Sequence, residues 1–401
     1  MERSTPASEA LRAADIQVVA LRKTHILPLD GVRGLAVLMV MLFHFSHELN
    51  LHDFSQRQLF KLFAFGGSGV DLFFVLSGFL ITGILVDSRE RHRYFTSFYA
   101  RRVLRIFPIY YAALIALFWI GPALWPAAAV HFPLISKLPI FAFYLQNWLI
   151  GPQVPQQDFV YHFWSLAVEE QFYIFWPLLV WLVPRRRMLA VILGGCLGVW
   201  ALRIGLVLAG VDPEVLYRNT FTRLDPLLLG AACSLFVRSP QWRAFWAKHT
   251  GWMVWAPVFA FGALTVIDRH WASRTSFVHQ ESQLLVGLPY SAFILALALT
   301  LNTHSVPQRL LSWGPLVRLG RYSYGAYVFH IPVYASFKLA AAQYGVRLPG
   351  ALNLVLAVAI TIAASAVSFE LFERRFLALK SYFPAGGVEL PDRVAGLARG
   401  A

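Results

Sequence analysis

The sequence predicts an all-α protein, a polytopic bundle of transmembrane helices. Hydrophobic residues make up 58% of the 401 residues, and 33 phenylalanines and 13 tryptophans are among them. Soluble domains are typically about 45–50% apolar by a comparable count. Several apolar runs approach the roughly 20 residues that a helix needs to cross a bilayer. These observations together favour repeated membrane crossings over a soluble core.

Ten apolar stretches are long enough to be predicted as membrane-spanning helices. They are 30–49, 66–86, 106–123, 163–183, 188–209, 222–237, 252–267, 284–302, 319–341 and 350–372. A further run at 138–151 is too short to cross comfortably, so we predict a re-entrant or interfacial segment there. An even number of crossings places both termini on the same side of the membrane.

The net charge of +14 is unevenly distributed along the chain. Of the 35 lysines and arginines, 24 fall on the side of the two termini and seven in the alternate connections. Because cytosolic loops carry an excess of Lys and Arg, this bias predicts that both termini are cytosolic. The same bias accounts for most of the basic composition, so nucleic acid is not an expected partner.

The remaining composition predicts one membrane domain with two tails. We expect a polar cytosolic tail at 1–28, a membrane domain at 29–377 and a disordered cytosolic tail at 378–401. The two cysteines, Cys196 and Cys233, lie in apolar runs. Their positions predict buried thiols and no disulfide framework, and no spacing typical of a metal site is present.

The first predicted span carries ionisable groups, which are costly in a membrane and mark a functional site by default. Its sequence, LDGVRGLAVLMVMLFHFSHEL, places Arg33 and His44 eleven residues apart. This is close to three helical turns, so the two side chains share a face, roughly 16 Å apart along the axis. Asp30 is positioned to cap the helix start, and Gly31 and Gly34 allow another backbone to approach. The alternative is an inner anchor and an interfacial histidine.

A cluster of arginines, Arg101, Arg102 and Arg105, is predicted to meet the membrane on the cytosolic side. Ordinary cytosolic anchoring explains any one of these residues. Arg102 and Arg105 are three residues apart and therefore share a helix face. Two guanidiniums on one face are suited to binding phosphate groups.

Two adjacent carboxylates, Glu169 and Glu170, lie six or seven residues into an aromatic span that enters from the outer side. Their predicted depth is close to that of His44. One glutamate is expected to pair with an arginine such as Arg33 or Arg223. The other is then available for acid–base chemistry or for polarising a histidine.

Four further polar residues are candidates with weaker support. Asp71 lies about five residues into the second span, and Arg223 and Asp225 lie at the outer end of theirs. For the last two, a local ion pair is as good an interpretation as a functional role. His330 lies at mid-membrane, where a hydrogen bond to a neighbouring helix is the favoured explanation.

Four motifs together resemble the acyltransferase-3 family of integral membrane O-acyltransferases, over about 27–377. They are LDGVRGLAVLMVMLFHF, GVDLFFVLSGFLI, FYARRVLRIFPIYY and FWSLAVEEQFYIFWP. Members of this family move acyl groups, often acetyl, from coenzyme A to sugars. The resemblance implies that His44 is the essential first-span histidine and Arg33 its paired basic residue. It also implies that Arg102 and Arg105 serve acyl-CoA and that Glu169 and Glu170 form the acidic motif.

The resemblance therefore implies a bacterial, multi-pass inner-membrane enzyme that uses acyl-CoA, with acetyl-CoA expected, and no metal. Its acceptor would be a sugar hydroxyl of a surface polysaccharide, glycolipid or other glycoside. We expect the stand-alone form, without the fused esterase-like domain that some members carry. The donor phosphates would dock at 101–105, and His44 would act as general base or as an acyl-histidine relay.

Two other classes of function remain open from the sequence. Intramembrane Asp, Glu and His residues also build proton relays, as in a proton-coupled transporter of a small solute or glycan. No inverted repeat of the kind common in transporters is visible in this sequence. A non-catalytic partner of a glycan-export complex is the third possibility, and it predicts that His44→Ala leaves function intact.

Overall fold

The computed structural model describes residues 26–49, 52–149, 159–267, 277–301, 303, 305–346 and 348–383, without the side chains of 48 and 265–285. Regular structure in these residues is entirely helical, and no strand occurs among them. The predicted all-α class is thereby confirmed. Of the tails predicted at 1–28 and 378–401, residues 1–25 and 384–401 lie outside the described residues.

Nineteen α-helices occur in the described residues. They are α1 Leu27–Phe45, α2 Phe54–Ala64, α3 Gly69–Ser88, α4 Tyr94–Ile115, α5 Gly121–Leu124, α6 Leu138–Ala142, α7 Gln146–Leu149, α8 Trp164–Leu182, α9 Arg185–Leu208, α10 Pro213–Arg218, α11 Asp225–Arg238, α12 Pro240–Ala247, α13 Thr250–Met253, α14 Ala256–Ile267, α15 Phe277–Leu299, α16 Val306–Leu311, α17 Gly314–Gln343, α18 Gly350–Ser368 and α19 Arg374–Ala378. Two π-helical turns lie at Ala116–Ile120 and Phe369–Glu373.

Each of the ten predicted spans overlaps one of these helices. Five described segments are long and apolar enough to cross a membrane: Leu27–Phe45, Phe54–Ser88, Tyr94–Leu124, Arg185–Leu208 and Gly350–Tyr382. Helices α8 and α17 are also long enough, but their polar residues lower their hydropathy. The number of crossings and the cytosolic side of the termini stay predictions.

The short run predicted at 138–151 is broken in the structure. Helices α6 and α7 contain five and four residues and are separated by Phe143–Leu145. Tyr144, between them, has a φ of 55°, which an α-helix cannot accommodate. Neither piece is long enough to cross a bilayer, and residues 150–158 lie outside the described residues.

Helices α1 and α17 pack with their backbones in contact. A Cβ atom on Gly34 would lie 2.1 Å from the carbonyl oxygen of Leu316, and one on Gly320 would lie 1.8 Å from that of Asp30. Gly31 meets the carbonyl end of α16 in the same way. The close approach predicted at Gly31 and Gly34 is therefore confirmed.

Helices α3 and α11 form a second pair of the same kind. A Cβ atom on Gly78 would lie 1.9 Å from the carbonyl oxygen of Leu227. One on Gly230 would lie 2.0 Å from that of Val75. Any side chain at these two positions would have to push the helices apart.

The C-terminal segment, Arg374–Phe383, continues the folded chain beyond the last predicted span. Helix α19 is followed by a 3₁₀ turn at Leu379–Tyr382, which packs against α4. The boundary predicted between the membrane domain and a disordered tail, at 377, therefore falls inside a folded segment. The cysteines agree with their prediction, because both are buried thiols without a disulfide.

Candidate active site

A cavity of about 1280 Å³ lies among α1, α3, α4, α8, α17 and the C-terminal segment. Its lining contains ten basic and four acidic side chains. The basic residues are Arg33, Arg91, Arg93, Arg101, Arg102, Arg105, Arg238, Arg321, Arg374 and Lys380, and the acidic residues are Asp30, Asp87, Glu169 and Glu370. The cavity therefore carries a surplus of positive charge within a helical bundle.

Three of the four acidic residues form ion pairs with basic residues of the same cavity. Asp30 and Arg33 pair at 2.5 Å within the first turns of α1. The other two pairs are Asp87 with Arg238, at 2.8 Å, and Glu370 with Arg374, at 3.2 Å. These pairs neutralise three of the ten basic side chains, so seven basic side chains remain beside one further carboxylate, Glu169.

The prediction that Asp30 caps the first helix is wrong. Helix α1 begins at Leu27, with Ile26 in the N-cap position and no side-chain cap. Asp30 consequently lies inside the first turns, one turn before Arg33, where its carboxylate accepts a hydrogen bond from that guanidinium. Pro28 in the first turn accounts for the early start, because proline is tolerated where no amide partner is needed.

The arginines of α4 separate into two roles. Arg102 and Arg105 both line the cavity, in agreement with the predicted shared face. The guanidinium of Arg102 lies over the rings of Phe98 and Tyr173, at 5.9 and 5.5 Å, and its buried Nε has no hydrogen-bond partner in the described residues. Arg101 also lines the cavity, but its Nη1 donates hydrogen bonds to two carbonyl oxygens of the C-terminal segment.

The two glutamates of α8 occupy different environments. Glu169 lines the cavity and accepts a short hydrogen bond from the Tyr173 hydroxyl. Ser77 lies 2.5 Å from the same hydroxyl and must be the donor there, because the tyrosine proton is already used. Glu170 is buried and is not part of the cavity lining.

Two buried ion pairs connect α3, α9 and α11. Arg223 pairs with Asp71 at 3.0 Å, and both side chains are almost fully buried. Asp225 pairs with Arg203 at 2.7 Å, and Arg203 also donates to the carbonyl oxygen of Thr222. The expected local pair between Arg223 and Asp225 is therefore wrong. The glycine contacts between α3 and α11 bring Asp71 to Arg223 instead.

The expectation that Arg33 or Arg223 pairs with a glutamate of α8 is also wrong. Their carboxylate partners are Asp30 and Asp71, respectively. Arg223 is additionally enclosed by the aromatic rings of Phe74, Trp164 and Tyr217. The Arg223 side chain is fully buried and does not line the cavity.

Three histidine rings meet next to Tyr327, which lines the cavity. The ring of His330 lies 5.0 Å from that of His44 and 4.6 Å from that of His162, between centroids. The hydrogen bond expected from His330 to a neighbouring helix is wrong, because its Nδ1 lies 2.6 Å from the carbonyl oxygen of Tyr327, one turn earlier in α17. Its Nε2 is buried without a hydrogen-bond partner in the described residues.

Backbone carbonyls determine which nitrogen of each histidine carries the proton. His44 Nδ1 lies 2.9 Å from the carbonyl oxygen of Val40, so Nδ1–H donates there and Nε2 carries the lone pair. His162 has the opposite tautomer, because its Nε2 lies 3.2 Å from the carbonyl oxygen of Val328. A neutral His44 of this tautomer can accept a proton or attack a carbonyl through Nε2.

His162 and Tyr327 are members of this site that sequence reasoning did not single out. His162 directly precedes the span that contains the two glutamates, so its position at an apolar boundary was the available signal. Tyr327 and Ser165 line the cavity and share a short hydrogen bond. The Tyr327 ring also lies 5.3 Å from that of His330. His44 itself does not line the cavity.

No group of three or more His, Cys, Asp or Glu side chains in the described part of the chain is arranged to hold a metal ion.

Comparison with known proteins identifies the family. A family model described as an acyltransferase domain matches residues 26–370. The chain belongs to the acyltransferase-3 family. The match covers all the helices that carry the histidines, the arginine cluster of α4 and the two glutamates, so the resemblance seen in the motifs is confirmed.

Curated relatives of this acyltransferase domain come from bacteria. The chain is 30% identical over 375 residues to "Putative peptidoglycan O-acetyltransferase YrhL" of Bacillus subtilis, and 28% identical over 365 residues to peptidoglycan O-acetyltransferase OatA of Listeria monocytogenes. Each alignment covers 86% of this chain and 54% of the relative. The chain thus spans about half the length of these relatives. No solved structure matches it.

Proposed function

We propose that this chain is a multi-pass O-acyltransferase of the bacterial inner membrane. It would transfer a short acyl group, with acetyl expected, from acyl-CoA to a hydroxyl group of a cell-envelope carbohydrate. The observation that carries the proposal is a cation-rich cavity whose lining includes Tyr327, a residue that contacts two of the three clustered histidines. The names of the two bacterial relatives support acetyl as the group and peptidoglycan as one acceptor of this chemical class.

The donor fits the charge of the cavity. Coenzyme A carries several phosphate groups at one end and the acyl thioester at the other. Arg102 and Arg105 are one helical turn apart on the cavity wall, where planar guanidiniums can bind phosphate oxygens in pairs. The thioester end would then extend toward Tyr327 and Ser165, away from the basic residues. Arg33, already paired with Asp30, would line the path between the arginines of α4 and Tyr327.

The acyl transfer itself is assigned to His44. As general base, Nε2 would remove the proton of the acceptor hydroxyl while that oxygen bonds to the thioester carbonyl carbon. The carbon–sulfur bond then breaks, and the thiolate of coenzyme A leaves. General-base catalysis of this kind contributes roughly 10²–10⁴-fold in rate. In the second version Nε2 attacks the thioester first and passes the acyl group to the hydroxyl.

The proposal requires a connection between the cavity that would bind the donor and His44. Tyr327 and Ser165 lie between the cavity and His330, and His330 lies against His44. In this proposal, the hydrogen bond between Tyr327 and Ser165 would have to break for the thioester to reach His44. Glu169 is hydrogen-bonded to Tyr173 on the cavity side, so we assign it to positioning Tyr173 and the Arg102 guanidinium above that ring.

The test is transfer of label from acetyl-CoA to glycan in membranes that contain the full chain. Wild type, His44→Ala and His47→Ala would be compared at equal expression. His47 is the matched control, because it is an exposed histidine one turn beyond His44 on the same segment. We expect wild type and His47→Ala to transfer label and His44→Ala to lose transfer at least 100-fold, the lower end of the general-base contribution.

Two outcomes would contradict the proposal. Equal transfer by His44→Ala and wild type would remove His44 from the chemistry. Absence of transfer by wild type, with several acyl-CoA donors and envelope acceptors, would contradict the enzymatic function and favour a proton-coupled transporter. Solute-dependent proton movement in vesicles that contain the same protein would then test the transporter.

A further inference from the structure

The C-terminal segment, Arg374–Phe383, forms a wall of the cation-rich cavity. The family match ends at residue 370, so this wall lies beyond the matched domain. Its attachment is specific, because Arg101 Nη1 on α4 donates to the carbonyl oxygen of Lys380 at 3.2 Å and to that of Phe383 at 2.9 Å. The segment is thereby held against the N-terminal half of α4, beside the arginine cluster.

This attachment places Lys380 inside a cluster of like charges. Lys380 lines the same cavity as Arg33, Arg101, Arg102 and Arg105, and is close enough to all four to experience their positive charge. Its side chain is only partly exposed. No carboxylate in the described part of the chain forms an ion pair with Lys380.

This group of five cations is partly buried, and among the described residues one ion pair, Arg33 with Asp30, involves any of its members. Such an excess of positive charge is unfavourable by itself. Like charges a few ångströms apart repel, and the repulsion grows as solvent is excluded. Such a cluster is stabilised when a polyanion enters it and supplies the missing charge. A structural role for Lys380 would instead call for a carboxylate partner, as the buried arginines of α9 and the α11 start have.

We propose that Lys380 is a binding residue for the phosphate groups of the acyl donor, and that the Arg374–Phe383 segment is a component of the donor site. The proposal rests on the function proposed above, and extends it to a part of the chain that the family match does not include. Arg101 is then a positioning residue. It holds the segment through two carbonyl oxygens and presents the Lys380 ammonium to the cavity beside Arg102 and Arg105.

The experiment measures binding of coenzyme A by the full chain in lipid nanodiscs, by isothermal titration calorimetry. The variants are Lys380→Ala, Lys380→Arg and Arg102→Ala. Arg375→Ala is the matched control, since Arg375 is an exposed cation in the same segment that does not line the cavity. Loss of one charge-assisted hydrogen bond should weaken binding about tenfold or more in Lys380→Ala. Lys380→Arg and Arg375→Ala should remain within about twofold of wild type.

A thermal melt without ligand separates a binding role from a structural one. Removal of one charge from a repulsive cluster should leave the melting temperature of Lys380→Ala unchanged or higher. A lower melting temperature, with affinity for coenzyme A retained, would make Lys380 a structural residue and overturn the proposal.

The outcomes also distinguish this proposal from the function on which it rests. If Arg102→Ala loses affinity while Lys380→Ala binds coenzyme A like wild type, the acyltransferase function stands and the role of the C-terminal segment is wrong. If wild type binds no coenzyme A and transfers no acetyl label, the proposed function fails, and the role of Lys380 fails with it.

Discussion

Two pairs of helices in this protein pack in the same way but carry their charges differently. In both α1–α17 and α3–α11, glycines place one backbone against the other. Around α3 and α11, each buried arginine has a carboxylate partner, as Arg223 with Asp71 and Arg203 with Asp225. In the cavity that α1 and α17 line together with α3, α4 and α8, ten basic side chains accompany four acidic ones.

The difference separates two uses of charge inside a membrane bundle. In a buried pair such as Arg223 and Asp71 the two charges neutralise each other, so we expect the pair to hold neighbouring helices in register. A surplus such as that around Arg102 and Lys380 lacks compensating negative charge, and we propose that it binds an anion. The comparison therefore predicts that mutations in the first region affect folding, whereas mutations in the second affect ligand binding.

The largest effect is expected from Arg223→Ala. The substitution leaves Asp71 as a buried carboxylate without its partner, and breaking a buried pair typically costs about 3–5 kcal/mol. We expect a strongly reduced yield of monodisperse protein and a lower melting temperature in detergent. A variant that melts like wild type would show that the buried pair does not hold α3 to the start of α11.

The next effect is expected from Gly78→Ala. The new methyl group would lie 1.9 Å from the Leu227 carbonyl oxygen, so α3 and α11 must separate. Overpacking of this kind costs about 1–3 kcal/mol and should lower the melting temperature. Gly194→Ala is the control, since nothing lies within 4 Å of a Cβ there and alanine favours a helix. Equal melting temperatures for both variants would contradict the close packing.

A smaller change in free energy, confined to ligand binding, is expected from Arg102→Ala. Loss of this guanidinium from the cavity should weaken coenzyme A binding about tenfold, or about 1.4 kcal/mol. The melting temperature without ligand should be unchanged or higher, because a like charge has been removed. If Arg102→Ala instead melts as low as Arg223→Ala, the two regions do not differ in the way proposed.

The smallest effect is expected from Glu90→Ala at the protein surface. Glu90 and Arg185 form an ion pair at 3.7 Å, with side chains 85% and 60% exposed. Exposed pairs contribute about 0–1 kcal/mol, so the melting temperature should barely change. A loss comparable to that of Arg223→Ala would show that burial is not what separates strong from weak pairs here.

The helices and the arginine face were accessible from the sequence because both depend on local periodicity. Each of the ten stretches predicted from span length and hydropathy overlaps a helix in the structure. The 3.6-residue repeat placed Arg102 and Arg105 on one face, and the small residues at Gly31 and Gly34 indicated a close helix contact. These features depend on neighbours within a few residues along the chain.

The partners of the buried charges were not accessible in this way. Asp71 and Arg223 are far apart in sequence, and the shorter separation between Arg223 and Asp225 suggested the wrong pair. The contacts of His330 with His44 and with His162 likewise join three distant segments. Residues 378–383 were expected to belong to a disordered tail, because nothing in their sequence indicates the hydrogen bonds from Arg101 to the carbonyl oxygens of Lys380 and Phe383.

The sequence by itself determined that this chain is a helical membrane protein, which ionisable residues interrupt its spans, and that its motifs are those of an acyltransferase. Hydrophobic transfer energy and helical geometry act over single segments, so composition and spacing are sufficient for these conclusions. Only the tertiary structure decided which charges neutralise one another and which remain in surplus. Ion pairing depends on distances of a few ångströms between separate helices, and the glycine contacts that set those distances become visible only when the helices are packed.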